Sequence, residues 1–148
     1  MNTPKSPWRR LKAELAREDF LPYPVQDEFA SLKEASFDFL MNIIEKRDGT
    51  PRQLRNALLM ASIMRGWGLK RFNLAVPSLC THEDFRVRST ALHVLLRWLD
   101  LVRTGLVPAE RIEGYDEHSF DETIKDALAL GVAENTEFLA RKHLTRTG

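Results

Sequence analysis

The stretch that decides the fold reads Ala75-Val76-Pro77-Ser78-Leu79-Cys80-Thr81-His82-Glu83-Asp84-Phe85-Arg86-Val87-Arg88-Ser89-Thr90-Ala91-Leu92-His93-Val94-Leu95. Its second half continues to Arg103 and carries Val87, Ala91, Val94, Leu95, Trp98 and Val102 at three- and four-residue spacing. That is the period of a helix with one buried stripe. The polar run Thr81-His82-Glu83-Asp84 parts it from a shorter helix expected over Leu69 to Cys80. Two helices joined by so few residues must fold back on one another.

The same pattern extends toward the N-terminus. A helix from Pro51 to about Gly66 is apolar nearly all round over Ala57-Leu58-Leu59-Met60-Ala61-Ser62-Ile63-Met64, the mark of a central helix, and Gly66-Trp67-Gly68 breaks it. Asp48-Gly49-Thr50-Pro51 makes the tight joint before it. Upstream, Asp27 can cap a helix whose inward stripe is Phe29, Leu32, Ser36, Phe39, Leu40, Ile43 and Ile44. Ser6-Pro7 opens a first helix carrying Trp8, Leu11 and Leu15, and Leu21-Pro22-Tyr23-Pro24 stops it. Toward the C-terminus, Thr104 to His118 reads as a polar linker with one helical turn from Pro108. Ser119-Phe120-Asp121-Glu122 reads as a capping box, opening a helix that Gly131 closes as a left-handed C-cap. A last helix, about Asn135 to Leu144, carries Phe138 and Leu139. Alternating strand patterns are absent, so the fold class is all-α.

The helix starts repeat. Leu54-Arg55 precedes Ala57 and Leu58, Val87-Arg88 precedes Ala91 and Leu92, and the offset of 33 residues lies in the range of helical repeat arrays. In the quoted stretch, Val76-Pro77-Ser78-Leu79-Cys80, then Asp84 three residues before Val87-Arg88, then Ala91 and Leu95, resemble a HEAT repeat. The match runs from Lys70 to Leu99 and is partial over Leu32 to Trp67. There, no aspartate stands three residues before Leu54, and the ends of the chain do not match. The resemblance implies a short right-handed α-solenoid or helical bundle of about two HEAT-like pairs with extra terminal helices. It divides a single domain into residues 1–24 (helix and proline-rich turn), 25–103 (helix pairs), 104–118 (acidic linker) and 119–148 (C-terminal helices). It also implies that Asp84 and Arg88 serve packing between repeats, and that the second helix of each pair lines a concave binding face. Physically, each pair leaves an apolar flank that its neighbour must cover.

A chain of 148 residues, 43% hydrophobic and 29% charged, can bury a core without metal or disulfide help. Its single cysteine, Cys80, sits among apolar neighbours and reads as a reduced core thiol. No apolar segment follows the polar start Met1-Asn2-Thr3-Pro4-Lys5, and no apolar run reaches the ~20 residues of a membrane span. A cytoplasmic protein is expected by elimination. The net charge of +1 conceals a segregation: eleven Lys/Arg against four Asp/Glu over Lys46–Arg103, and two against eight over Thr104–Asn135. Such asymmetry can steer a charged partner, or the acidic segment can lie against the basic one.

Motifs of catalysis are scarce. His118 among Asp116, Glu117 and Asp121 lacks a second histidine or cysteine at metal-ligand spacing, so no metal is expected. Cys80 beside His82 occupies a core position, and Gly66-Trp67-Gly68 lacks the spacing and the Lys-Ser/Thr of a phosphate loop. No catalytic residue and no cofactor is expected. Trp67 and Trp98 read as core, and Trp8 as a cap on the array's first apolar face or an exposed ring. Arg86, Ser89, His93, Arg97 and Asp100 share one helix face, and Arg52 and Arg55 occupy the comparable start of the earlier helix. Arg52, Arg55, Arg86, His93, Arg97 and Asp100 are therefore the candidate partner-binding residues, facing another protein with an acidic surface. The competing reading is a solvated charged face, on which an Arg97–Asp100 pair is worth only tenths of a kcal/mol. A second functional class is nucleic-acid binding, as in the HEAT-like alkylpurine DNA glycosylases, which hold duplex DNA in a basic groove. An array with an uncovered apolar end can also form a homodimer.

Overall fold

The computed structural model describes residues 6–64 and 69–146. Among these the chain forms eight α-helices and no strand: α1 Trp8–Glu14, α2 Tyr23–Ser31, α3 Lys33–Lys46, α4 Pro51–Ile63, α5 Lys70–Leu79, α6 Phe85–Arg103, α7 Glu117–Leu130 and α8 Glu134–Leu144. The break at Gly66-Trp67-Gly68 and the ring of Trp67 lie outside the described residues.

The joints explain the pairing. At the end of α3, Arg47 adopts φ +50°, Asp48 N–H reaches the Ile43 carbonyl and Arg47 N–H the Ile44 carbonyl, so the last turn's acceptors are satisfied by a reversing chain. Gly49 follows at φ +135°, where a Cβ would meet Gln53 Oε1 at 2.6 Å. Thr50 and Gln53 then close a reciprocal capping box that opens α4. The second joint turns on Asp84, whose carboxylate accepts from Arg86 N–H (2.8 Å) and Val87 N–H (3.0 Å). Helix α3 packs on α4 and α5 on α6, and the pairs stack first helix on first helix and second on second. Arg47 donates to the Ser78 carbonyl near the ends of α3 and α5, and Arg71 at the start of α5 pairs with Asp38 and Glu45. These links join α3 to α5.

The core is continuous across the pairs. Leu40 and Met41 of α3, Ala57 and Leu58 of α4, Phe72 and Val76 of α5, and Val87, Ala91, Leu95 and Trp98 of α6 are buried in one cluster. Cys80 is wholly buried, and Phe72 meets Trp98 at 5.3 Å between ring centres. Burying one such side chain stabilises by roughly 1.5–3 kcal/mol. Trp8 is half-buried and stacks on Phe39 at 4.9 Å, closing the first flank.

Several boundaries differ from the sequence expectation. Asp27 does not open a helix: α2 begins at Tyr23 with a proline in its first turn, and Asp27 lies inside it. The run expected as one helix is two, because Lys33 takes φ +50° after Leu32. At the break the Phe29 carbonyl accepts the Leu32 N–H (3.2 Å) and the buried Ser36 hydroxyl (2.5 Å), so the end of α2 keeps its donors. The prolines at 22 and 24 start α2 rather than stop α1, which ends at Glu14. Helix α7 starts at Glu117, since Asp116 and not Ser119 provides the cap, accepting Ser119 N–H at 3.3 Å. Gly131 closes α7 with φ +94° and ψ 133°, outside the left-handed helical region expected of it. Val102 is half-buried rather than inward, and the turn after Pro108 is a 3-10 turn, Ala109–Arg111, beside the buried Ile112.

Candidate functional site

Helix α6 packs against α4 on one side and α8 on the other. Arg55 near the start of α4 feels the charge of Arg86 at the start of α6. Ser89 in the second turn of α6 accepts the N–H of Ala133, which precedes α8, at 2.9 Å. Asp100 and Arg103 near the end of α6 share a groove with Lys142 and His143 near the end of α8.

Arg52 and Arg55 stand near the start of α4 and Arg86 near the start of α6. The Arg55 guanidinium is held below its ordinary value, first by burial, then by Arg86 and Arg52, with Asp19 and Glu18 opposing. Arg55 is also occupied: it donates to the Arg17 carbonyl at 3.1 Å and to the Glu18 carbonyl, and the buried Asn56 donates to those of Leu15 and Arg17. Together they stopper the end of α1. Arg55 thus lends charge to the cluster, while Arg52 and Arg86 make no side-chain hydrogen bond among the described residues.

His93, Arg97 and Asp100 follow along α6 and line a groove of about 430 Å³ with Leu96, Leu101, Arg103, Leu139, Lys142 and His143. His93 is half-buried, and burial and then Arg97 push its imidazole below the usual range. Arg97 and Asp100 are exposed and form no ion pair with each other. Lys142 and Arg103 are likewise exposed without an acidic partner among the described residues. Behind the groove, His143 is buried and shares a hydrogen bond with Asp121 (3.2 Å); Arg146 reaches both Asp121 and Glu117. Burial and then Arg146 hold His143 low, against the pull of Asp121.

The contribution of α8 was not read from the sequence. Its signal is weak: Leu139, Lys142 and His143 sit at three- and four-residue spacing on a helix otherwise charged. Ser89, grouped with the outward stripe, is buried and holds the α7–α8 joint instead. Arg88, expected to serve packing, is buried and donates to the carbonyls of His82 (2.8 Å), Glu83, Leu130 and Gly131 (2.7 Å). It ties the start of α6 to the end of α7, where a cation also suits the helix terminus.

Among the described residues, no ion pair links the basic Lys46–Arg103 stretch to the acidic Thr104–Asn135 stretch. Arg71 pairs backward to α3, and Asp121 and Glu117 pair forward to Arg146. The acidic stretch still packs on the basic one through backbone contacts: Asn73 donates to the Glu113 carbonyl (2.7 Å), and Arg88 to those of Leu130 and Gly131. Burial drives the Cys80 thiol far above its ordinary value, so it supplies no thiolate at neutral pH. His118 stands exposed in the first turn of α7. Among the described residues no cluster of His, Cys, Asp or Glu has metal-site geometry, and no helix is long and apolar enough to cross a membrane. The chemistry the face offers is that of exposed guanidinium and ammonium groups, Arg86, Arg97, Arg103 and Lys142, without acidic partners among the described residues. Comparison with known families, curated proteins and solved structures finds no match for this chain.

Proposed function

We propose that this chain is a non-catalytic protein-interaction module of HEAT-like design, acting in the cytoplasm as an adaptor, regulatory subunit or immunity-type inhibitor. The face of α4 and α6 receives an acidic surface of another protein. Arg52, Arg86 and Arg97 offer guanidinium forks to carboxylates, Arg55 adds its charge, and His93 and Asp100 supply shorter polar contacts. One observation carries this reading. Arg52 and Arg55 in the first turns of α4 and Arg86 in the first turn of α6 lie close enough that, after burial, the other two lower the Arg55 guanidinium, and Arg97 lies further along α6. Arg52 and Arg86, which form no ion pair among the described residues, favour an anionic visitor.

The same charge would serve nucleic acid, the reading that the DNA glycosylase likeness suggests. Two observations weigh against it. Asp100 stands among the cations, and Glu110, Glu113 and Asp126 remain exposed in the neighbouring acidic stretch. The test is reconstitution. A protein that co-purifies with the chain, isolated and recombined with it, should bind Arg86→Glu/Arg97→Glu at least about tenfold more weakly than wild type, since each charge-assisted contact contributes about 1.5–3 kcal/mol. Unchanged affinity, or a gel shift of duplex DNA that outlasts the protein contact at high salt, would overturn the reading.

A further inference from the structure

The groove between α6 and α8 has two properties that a merely solvated helix face does not need. Its lining includes Leu96, which is buried, with Leu101 and Leu139. The apolar surface continues around α8 onto Phe138, 68% exposed, with Leu139 shared between the two sides. Its rim sets Arg97, Arg103 and Lys142 against the single carboxylate of Asp100. An apolar floor beside unpaired cations is complementary to one kind of ligand, an anion with an oily side.

Resting on the docking reading above, we infer that this groove is the anchor pocket of the face, and that its occupant is an acidic protein segment. The segment sets one apolar side chain between α6 and α8, against Leu96, Leu101 and Leu139. Its flanking carboxylates meet Arg97, Arg103 and Lys142. A volume of about 430 Å³ accommodates a large side chain with its adjoining backbone and lies in the range of ordinary ligand pockets. Central apolar anchors ringed by charge carry most of the energy of such contacts. A nucleic-acid strand fits the lining less well, because the groove holds no Phe, Tyr or Trp on which a base could stack.

The experiment uses the full chain and fluorescence anisotropy with two probes. One is polyglutamate. The other is a series of fluorescein-labelled acidic dodecapeptides of mixed Asp and Glu, with Leu, Phe or Ser placed at each position in turn. Peptides with an apolar residue at the best position should bind about tenfold or more tighter than their Ser counterparts, the increment expected for burying one such side chain. Leu139→Ser should erase that advantage yet keep polyglutamate binding. Arg103→Glu/Lys142→Glu should weaken both probes, and circular dichroism should show all variants folded. If Ser and Leu peptides bind alike, or if Arg103→Glu/Lys142→Glu binds as wild type, the anchor pocket is refuted. The docking face then survives provided Arg86→Glu still weakens polyglutamate. Failure of the wild-type chain to bind either probe removes both.

Discussion

Arg88 shows how one side chain can bind two parts of a fold. Its guanidinium serves four carbonyls, two in the turn before α6 and two at the end of α7. A methionine there would keep much of the packing but leave buried carbonyls without donors. Arg88→Met should cost about 1–3 kcal/mol, read as a lower denaturation midpoint with helix content retained in buffer. Cys80 makes a second residue-scale test. Buried beside Val76 and with its thiol pushed upward, it should resist thiol-labelling reagents in the native protein and react at once in denaturant. Rapid labelling of the native chain would mean that the packing around α5 is looser than described.

Helices legible from the sequence are those where period and cap agree. The stripe Val87, Ala91, Leu95 and Trp98 gives α6 its bounds, Phe85 to Arg103, and the joint Asp48-Gly49-Thr50-Pro51 lies between α3 and α4 as expected. The failures share a cause, which is that a cap is decided by tertiary context. Ser119 and Glu122 have the spacing of a capping box, yet Asp116 lies three residues earlier and takes the role. Thr50 and Gln53 form such a box, and the sequence reading passed over it. Nothing local announces the break at Lys33, because its compensation comes from Ser36 and from packing on the helices that follow. The candidate face was half legible: Arg86, His93, Arg97 and Asp100 share a side by period alone. The α8 wall depends on how α8 docks on α6, which no spacing reveals. Two substitutions on α6 separate its sides. Val87 is wholly buried, so Val87→Asp should cost roughly 4 kcal/mol or more and abolish the cooperative thermal transition. Arg97 is exposed, so Arg97→Glu should leave the melting curve within a degree or two of wild type.

Across the whole molecule, two buried imidazoles, His82 and His143, and the half-buried His93 make stability depend on pH. His82, His93 and His143 all titrate below the ordinary imidazole value in the fold, through burial first, then through Arg47, Arg97 and Arg146 respectively. The unfolded chain therefore takes up protons more readily than the folded one. Their contribution is fully present above the unfolded value of about 6.5 and is lost as the pH falls below it toward the folded values. The thermal midpoint should drop between about pH 7.5 and about pH 5.5, and His143→Gln should flatten that slope. At this same scale, the proposed function requires that Arg52, Arg86, Arg97, Arg103 and Lys142 act together as one anion-binding face despite the carboxylate of Asp100 among them. The most direct measurement is a titration of labelled polyglutamate and of duplex DNA against wild type and Arg86→Glu/Arg97→Glu, at low and at high salt. Polyglutamate should bind wild type, weaken as salt rises and lose most of its affinity for the folded double variant. Equal binding by the two proteins, or a preference for the duplex, would contradict the account.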